Sequence, residues 1–408
     1  MRHNRASLPW VTALAAGLCV GAAAGGADRG APWARHVIDD SSRGADGVRL
    51  ADANGDGRLD IATGWEQGGV VRVYLHPGPE RARGKWPAVT VGRAPAVEDA
   101  VFADLDGDGA LDVVSCCEGG TRRIFVHWAP KDGARILDAG AWTTEAVPAA
   151  AGATRWMFAL PMQLDGKHGT DLVAGSKNPD AVVGWLQAPA RPRDLAAWRW
   201  HPLYKAGWIM SLVAADVDGD GDLDVVASDR KGKSRGCLWL ENPGPGPRQA
   251  SPWKQHRIGP GDREVMFLCL TDLDRDGLLD VVCAVRGRGV AYYRRTRRAP
   301  AAWDTHEIDL PPNTGTGKAV AAGDVDLDGK LDLVVTCEHA RGKSGVFWMT
   351  PRTAPTDRRW EAHQVSGPEG TKYDLVELLD LDGDGDLDAL TCEEAENLGV
   401  VWYENPTR

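Results

Sequence analysis

One pattern limits what this chain can fold into: an acidic nonapeptide that recurs and runs each time into a β-branched stretch. It reads DANGDGRLD at 52–60, DLDGDGALD at 104–112, DVDGDGDLD at 216–224, DLDRDGLLD at 272–280, DVDLDGKLD at 324–332 and DLDGDGDLD at 380–388. A worn copy, QLDGKHGTD, occupies 163–171. Successive copies start 52 to 59 residues apart, the period of a repeat architecture. Each module can bury its apolar face only against its neighbours, so one closed domain over residues 33–408 is expected rather than two or three separate ones.

In each intact copy an acidic residue (once Asn) stands at positions 1, 3, 5 and 9, with Gly at 6. Alternating oxygens, a glycine for the sharp turn and a closing carboxylate describe a loop for a hard cation with six to eight oxygen ligands. An EF-hand would close on Glu at position 12 and enter a helix. Here the loop closes at 9 and enters IATG, VVSC, VVAS, VVCA, LVVT or ALTC, which read as strands. One such loop could be an acidic turn and nothing more. Six at one spacing point to calcium, about six structural ions, which would cancel the self-repulsion.

Two further markers complete the module. Seven of the 17 tryptophans open short strands, at Trp33, Trp86, Trp142, Trp198, Trp253, Trp303 and Trp360. Apolar stretches ending in Pro or Gly also recur, such as VVRVYLHPGP, RIFVHWAP, VVGWLQAP, CLWLENPGPGP, GVFWMTP and VVWYENP. Each module therefore offers four antiparallel strands, the makings of a propeller blade. The reading is all-β: a seven-bladed propeller in which the Trp33 strand completes the last blade and locks the ring. The histidines that follow the tryptophans (His36, His201, His256, His306, His363) fall in five different blades and read as structural.

With these residues in hand, the chain resembles the FG-GAP/VCBS-type repeat propellers, whose best-known relatives are the integrin α-subunit head domains. The resemblance covers nearly all of 33–408, although the literal Phe-Gly-Gly-Ala-Pro signature is absent, which places the chain nearer bacterial exported members. It implies calcium held by the side chains at 1, 3, 5 and 9 with the carbonyl at 7. That carries over to Asp52, Asn54, Asp56 and Asp60, to Asp104, Asp106, Asp108 and Asp112, and to Asp216, Asp218, Asp220 and Asp224. It carries over equally to Asp272, Asp274, Asp276 and Asp280, to Asp324, Asp326, Asp328 and Asp332, and to Asp380, Asp382, Asp384 and Asp388. In the third blade Gln163 and Lys167 break the pattern; that loop is expected to be metal-free, with the Lys167 ammonium standing in for the ion.

The formal net charge of −11 falls to about −13 without residues 1–27. Six calcium ions would return about twelve charges, so the acidic balance speaks for metal rather than a basic partner. It also argues against nucleic acid, which needs a basic face. Residues 1–27, with Arg2 and Arg5 before an apolar stretch from Leu8, read as a secretory signal peptide. The product is expected to be exported, periplasmic or secreted, without a membrane span and acting as a monomer. Seven cysteines follow the leader; Cys116, Cys117, Cys283, Cys337 and Cys392 recur at nearly equivalent strand positions and read as small buried residues, not a disulfide framework.

Function in such a ring is sought at the axial mouth opposite the loops. Six residues past each closing Asp stand Glu66, Glu118, Lys177, Arg230, Arg286, Glu338 and Glu394. Six residues before each loop stand Asp46, Glu98, Met157, Met210, Met266, Lys318 and Asp374. Blades 6, 7, 1 and 2 thus form an acidic arc, and blades 3 to 5 a Met-lined arc with a basic rim, flanked by Arg155, Trp156, Trp208, Lys231 and Arg263. Arg grips carboxylate or sulfate bidentately and Trp stacks on sugar, so a recognition module for an anionic carbohydrate or a cell-surface partner is expected. The alternative is a polysaccharide lyase or sugar dehydratase with His339 or Tyr373, beside Glu393, as base. A third reading is a purely structural ring. The YRRTRR run at 293–298 reads as a solvated turn.

Overall fold

The computed structural model describes residues 30–298 and 301–408; the expected signal peptide lies outside them. Seven four-stranded antiparallel sheets follow one another around a ring. In blade 1 the strands are Ala45–Ala51, Asp60–Trp65, Val70–Tyr74 and Ala88–Arg93, and the acidic loop joins the first to the second. Blades 2 to 6 begin at Val97, Arg155, Ile209, Val265 and Thr316. The seventh blade is built from both ends of the chain. Tyr373–Leu379, Asp388–Glu393 and Gly399–Glu404 are completed by Ala34–Asp39, with Arg35 opposite Tyr403 and Val37 opposite Val401. The ring closes as expected.

The recurring residues explain themselves at the blade edge. The marker Trp stands at or just before an outer strand, and in five of the seven blades its indole N–H ties down the connection that precedes it, whereas that of Trp303 has no hydrogen-bond partner. Trp86, Trp142, Trp198 and Trp253 donate to the carbonyls of Ala82, Ile136, Pro192 and Gln249 at 2.7–2.9 Å. The histidines pack on the aromatic ring of the adjacent strand: His256 stacks on Trp239 at 4.1 Å, His363 on Trp348 at 4.1 Å, and His36 lies 4.5 Å from Trp402. All seven cysteines among the described residues are free, and all but the half-buried Cys269 are buried.

Apolar side chains are shared between neighbouring blades, as the stacking of repeats requires. Val282 and Tyr292 of blade 5 pack with Leu333 and Phe347 of blade 6; Trp65 and Tyr74 of blade 1 pack with Leu390 and Trp402 of blade 7. Near the axis Phe158 and Phe267 meet edge to face at 5.6 Å. Arg49 binds the fully buried Asp99 there at 2.8 and 3.2 Å. Among the described residues no helix is long and apolar enough to cross a membrane.

All seven inner strands carry a β-bulge against the second strand. The register slips between Val97 and Asp99, Trp156 and Phe158, Ile209 and Ser211, and Gly317 and Ala319, and likewise near Gly47, Met266 and Asp374. Bulges re-aim a side chain. Here they fall on or beside the ring Asp46, Glu98, Met157, Met210, Met266, Lys318 and Asp374, and the bulge sets the mouth's inner ring apart from the regular strand below it.

Candidate functional site

The loop face is the more regular of the two. In each intact loop the Gly at position 6 adopts a positive φ, from 86° at Gly57, Gly277 and Gly329 to 94° at Gly221 and Gly385. That left-handed turn folds the backbone N–H groups inward onto the first Asp. Asp216 accepts from Gly219 and Gly221 at 2.8 and 3.1 Å, and Asp380 from Gly383 and Gly385 at 2.7 and 3.1 Å. Oxygens of Asp104, Asp106 and Asp108 lie within 4.8 Å of one another, as do those of Asp272, Asp274 and Asp276 and of Asp216, Asp218 and Asp224. Asp324 Oδ1 and Asp382 Oδ1 are buried with no donor facing them. A hard divalent cation with an all-oxygen shell fits such a set.

The closing Asp does a second job. It begins the second strand, fully buried or nearly so, and in every intact blade but the sixth, where Asp332 takes only the Val325 N–H, its two oxygens accept backbone N–H groups from different parts of the blade. Asp224 takes Val217 at 3.0 Å within the loop and Asn242 at 2.8 Å after the third strand; Asp112 takes Leu105 and Ala129, and Asp388 takes Leu381 and Asn405. Burial pushes these carboxyls up to about 6 at Asp60 and Asp280 and about 7 at Asp112, Asp224, Asp332 and Asp388, against the backbone bonds that lower them.

The worn third loop shows which role outlasts the metal pattern. Asp171 still accepts from Leu164 at 3.1 Å and Ala188 at 2.7 Å. The expected stand-in, Lys167, is largely exposed and reaches only Asp165, at 3.4 Å. It is the Gln163 amide that fills the loop: Nε2 donates to the carbonyls of Lys167 and Gly169 at 3.0 and 2.7 Å while Oε1 accepts from Gly166.

Position 3 carries a feature the sequence did not suggest. An arginine grips the outer oxygen of Asp106, Asp274 and Asp382: Arg193, Arg294 and Arg83 respectively, the last at 2.5 Å. Arg294 belongs to the YRRTRR run, which is therefore no solvated turn but the end of the strand Gly289–Thr296, reaching its own blade's loop. Arg193 and Arg83 reach across from the next blade. Arg83 also holds Glu404 at 2.8 and 2.9 Å, and His36 meets the same carboxylate at 2.6 Å, so the closure seam and the seventh loop share one network.

On the opposite face the two rings are brought together, but their division into arcs is not clean. Lys177 turns to the acidic side, 3.2 Å from Glu98 and 2.5 Å from Glu118. Arg230 and Arg286 share Glu264 at 3.4 and 3.7 Å, and Arg286 also lies 3.7 Å from Glu338. Trp208 is hemmed by three cations, with Lys177, Arg230 and Lys231 at 4.6–4.8 Å from its ring, so its faces are no open platform for a sugar. The methionines Met157, Met210 and Met266 are buried and line no mouth.

Lys318 pairs with Asp374 and Lys372 with Glu394. Burial pushes Glu98 up to about 8, against Lys177, and raises Asp46, helped by Asp374.

Two other candidates lie elsewhere than expected. Tyr373 is fully buried: its hydroxyl donates to the Glu369 carbonyl at 3.1 Å and meets the Tyr403 hydroxyl at 2.8 Å, and burial raises its pKa. It does not reach the mouth and cannot serve there as a base. Glu393 is equally buried, and its carboxylate gathers the N–H groups of Thr371, Lys372, Ala395, Glu396 and Leu398. His339 is exposed, 3.6 Å from Glu338.

Glu264 and Lys372 were missed. Both stand eight residues before a loop, on the same ring as Arg155 and Trp208. The carbonyl of this ring accepts the N–H of the charged outer ring, as Trp208 does from Arg230 at 2.7 Å and Lys372 from Glu394 at 3.0 Å.

The family model for FG-GAP-like repeats matches residues 52–115 and 272–335, each spanning an acidic loop and both strands around it. This chain is an FG-GAP-repeat β-propeller. No curated protein matches the propeller's sequence. Among solved structures it is similar to Saccharomyces cerevisiae Sqt1, at 9% identity over 93% of this chain and 99% of that one, with a TM-score of 0.51. BBS1N, solved in complex with ARL6DN, aligns at 11% identity over 92% and 98% with a TM-score of 0.50. A lectin from Agrocybe aegerita aligns at 15% identity over 80% and 81% with a TM-score of 0.48. The likeness to Sqt1 and BBS1N is one of fold.

Proposed function

We propose that this propeller is an exported, calcium-rigidified recognition module whose mouth takes an anionic carbohydrate. Export rests on the N-terminal sequence. Calcium rests on six intact loops with preset oxygens. The reading of the ligand rests on one observation: in the cation-rich sector around blades 3 and 4, Arg155 Nε and Trp208 Nε1 are buried donors with no acceptor. Unmade bonds of this kind are costly, and oxygens of a carboxylate or sulfate supply what both lack. Lys177, Arg230 and Lys231 surround the same indole and supply the charge. A lyase or dehydratase loses one of its two candidate bases with Tyr373 in the core.

The test is binding to a panel of uronic-acid and sulfated polysaccharides, with neutral polysaccharides as controls. Arg155→Ala should weaken binding to the acidic glycans by about tenfold, the loss of one charge-assisted contact. Equal binding to neutral and acidic glycans, or none to either while a cell-surface protein is bound, would refute the reading.

A further inference from the structure

One intact loop departs from the rest at its third position, and the departure places a reactive pair on the surface. Asn54 stands where the other five intact loops hold Asp, and Gly55 follows it in the chain's one Asn-Gly step. Five loops, the worn one included, put Gly at the fourth position, with φ between 67° and 81°. In four of them the side chain at the first position takes that glycine's N–H. Gly107 donates to Asp104 at 2.8 Å, Gly166 to Gln163 at 3.0 Å, Gly219 to Asp216 at 2.8 Å and Gly383 to Asp380 at 2.7 Å. In the first loop Asp52 Oδ1 accepts from Asp56 at 3.0 Å instead. Among the described residues the Gly55 N–H therefore has no acceptor. A Cβ built on Gly55 would meet no atom within 4 Å, so nothing shields the nitrogen.

The free nitrogen lies next to an amide already held in place. Asn54 Oδ1 accepts from the Asp56 N–H at 2.9 Å, which curls the side chain back over the Gly55 peptide and draws electrons from Cγ. Nδ2 donates to Asp56 Oδ2 at 3.2 Å. Asn54 is half-buried and Gly55 and Asp56 are exposed, so water reaches the pair. The other five intact loops offer a carboxyl group at this position, which carries no amine to release.

We infer that Asn54–Gly55 is a deamidation site, where the loop converts one of its own residues to an acid. The Gly55 nitrogen bonds to Asn54 Cγ. The Cγ–Nδ2 bond breaks, and Nδ2 leaves as ammonia with the proton that Gly55 gives up. One water then opens the succinimide ring, its hydroxyl going to a carbonyl carbon and its hydrogen back to the nitrogen. Opening at Cγ leaves an aspartate at 54 and gives this loop the third-position carboxylate of the other five. Opening at the main-chain carbonyl leaves an isoaspartate, which lengthens the backbone by one carbon inside the turn that Gly57 and Asp52 hold closed. Either product adds one negative charge to the loop. The step needs only water, and it stands apart from the proposed recognition of a glycan.

The experiment incubates the intact propeller at mildly alkaline pH, with calcium and with chelator, beside the denatured chain as reference. Isoelectric focusing follows the charge, and mass mapping of the peptide around residue 54 locates it. Expected is an acidic band, one charge removed, that grows in the folded protein with the amide-to-acid mass gain confined to Asn54; conversion under either condition upholds the site. Asn54→Gln, which would have to close a six-membered ring, should not develop the band. An amide intact at 54 in the folded protein under both conditions, while the denatured chain converts, would overturn the inference, because the loop would then protect it. Conversion spread equally over Asn178, Asn313 and Asn397 in the folded protein would overturn it as well.

Discussion

The two faces of this ring repeat in opposite ways. On the loop face the same residues do the same work in blade after blade: a glycine turns the backbone, the first Asp collects its N–H groups, and the closing Asp staples loop to strand. At the mouth, seven equivalent positions hold Glu66, Glu118, Lys177, Arg230, Arg286, Glu338 and Glu394, and no two neighbouring pairs solve their charges alike. Recurrence marks what the blade needs to exist. Divergence at a position that the fold leaves free is where specificity can be written, and the third loop shows the boundary between the two, keeping Asp171 while its metal pattern decays.

The largest effect should come from the element that makes either face possible. Deleting residues 33–39 removes the outer strand of blade 7 and should abolish cooperative melting; a truncated chain that melts like wild type would break the closed-ring account. Next, the staple and the ligand positions should separate. Without calcium, Asp224→Ala leaves two buried N–H groups unpaired and should cost about 3 kcal/mol, since bonds to a charged acceptor contribute about 1.5–3 kcal/mol each. Asp218→Ala, exposed on the same loop, should cost under about 1 kcal/mol yet remove one bound ion. Equal costs would deny the closing Asp its architectural role.

A smaller effect concerns a carboxyl on an inner strand, between the two faces. Burial pushes Glu377 up to about 7, opposed by Arg49. A folded-state pKa above the unfolded one means that its contribution is complete below about 4.5 and lost as pH rises through 7. Urea melts of Glu377→Gln should therefore gain on wild type by roughly 1 kcal/mol between pH 5 and 8, a figure already reduced because the side chain is only part-buried. A difference independent of pH would contradict it. Smallest is the latch: Arg83→Ala should weaken calcium at the seventh loop a few-fold and lower the melting point, whereas Arg294→Ala should weaken only the fifth loop, because it crosses no blade boundary.

The ring itself was legible because its signals are local and recur. The loop spacing, the Trp strands and the apolar-to-Pro strands each mark one strand of a blade, and the unpaired Trp33 strand announced the closure. The mouth was half legible. Counting six residues either side of the loops picked out positions that the fold brings to one end of the blades, with Met157, Met210 and Met266 buried among them, but pairings depend on which way a bulged backbone throws a side chain. Lys177 was grouped with blades 4 and 5 and in fact serves blade 2. Tyr373 sits beside a mouth residue, yet strand alternation turns it into the core. Arg83 and Arg193 are invisible to any reading of the loop they serve, because they come from the next blade.

The most direct test of the central claim, that calcium on one face makes a rigid mouth on the other, is a metal count paired with a melt. Chelated protein dialysed against calcium should retain about six ions. At tenfold excess over Kd each ion contributes about 1.4 kcal/mol, so the melting temperature should rise by roughly 10 °C. A protein that retains no calcium and melts at the same temperature in chelator and in excess calcium would contradict the account.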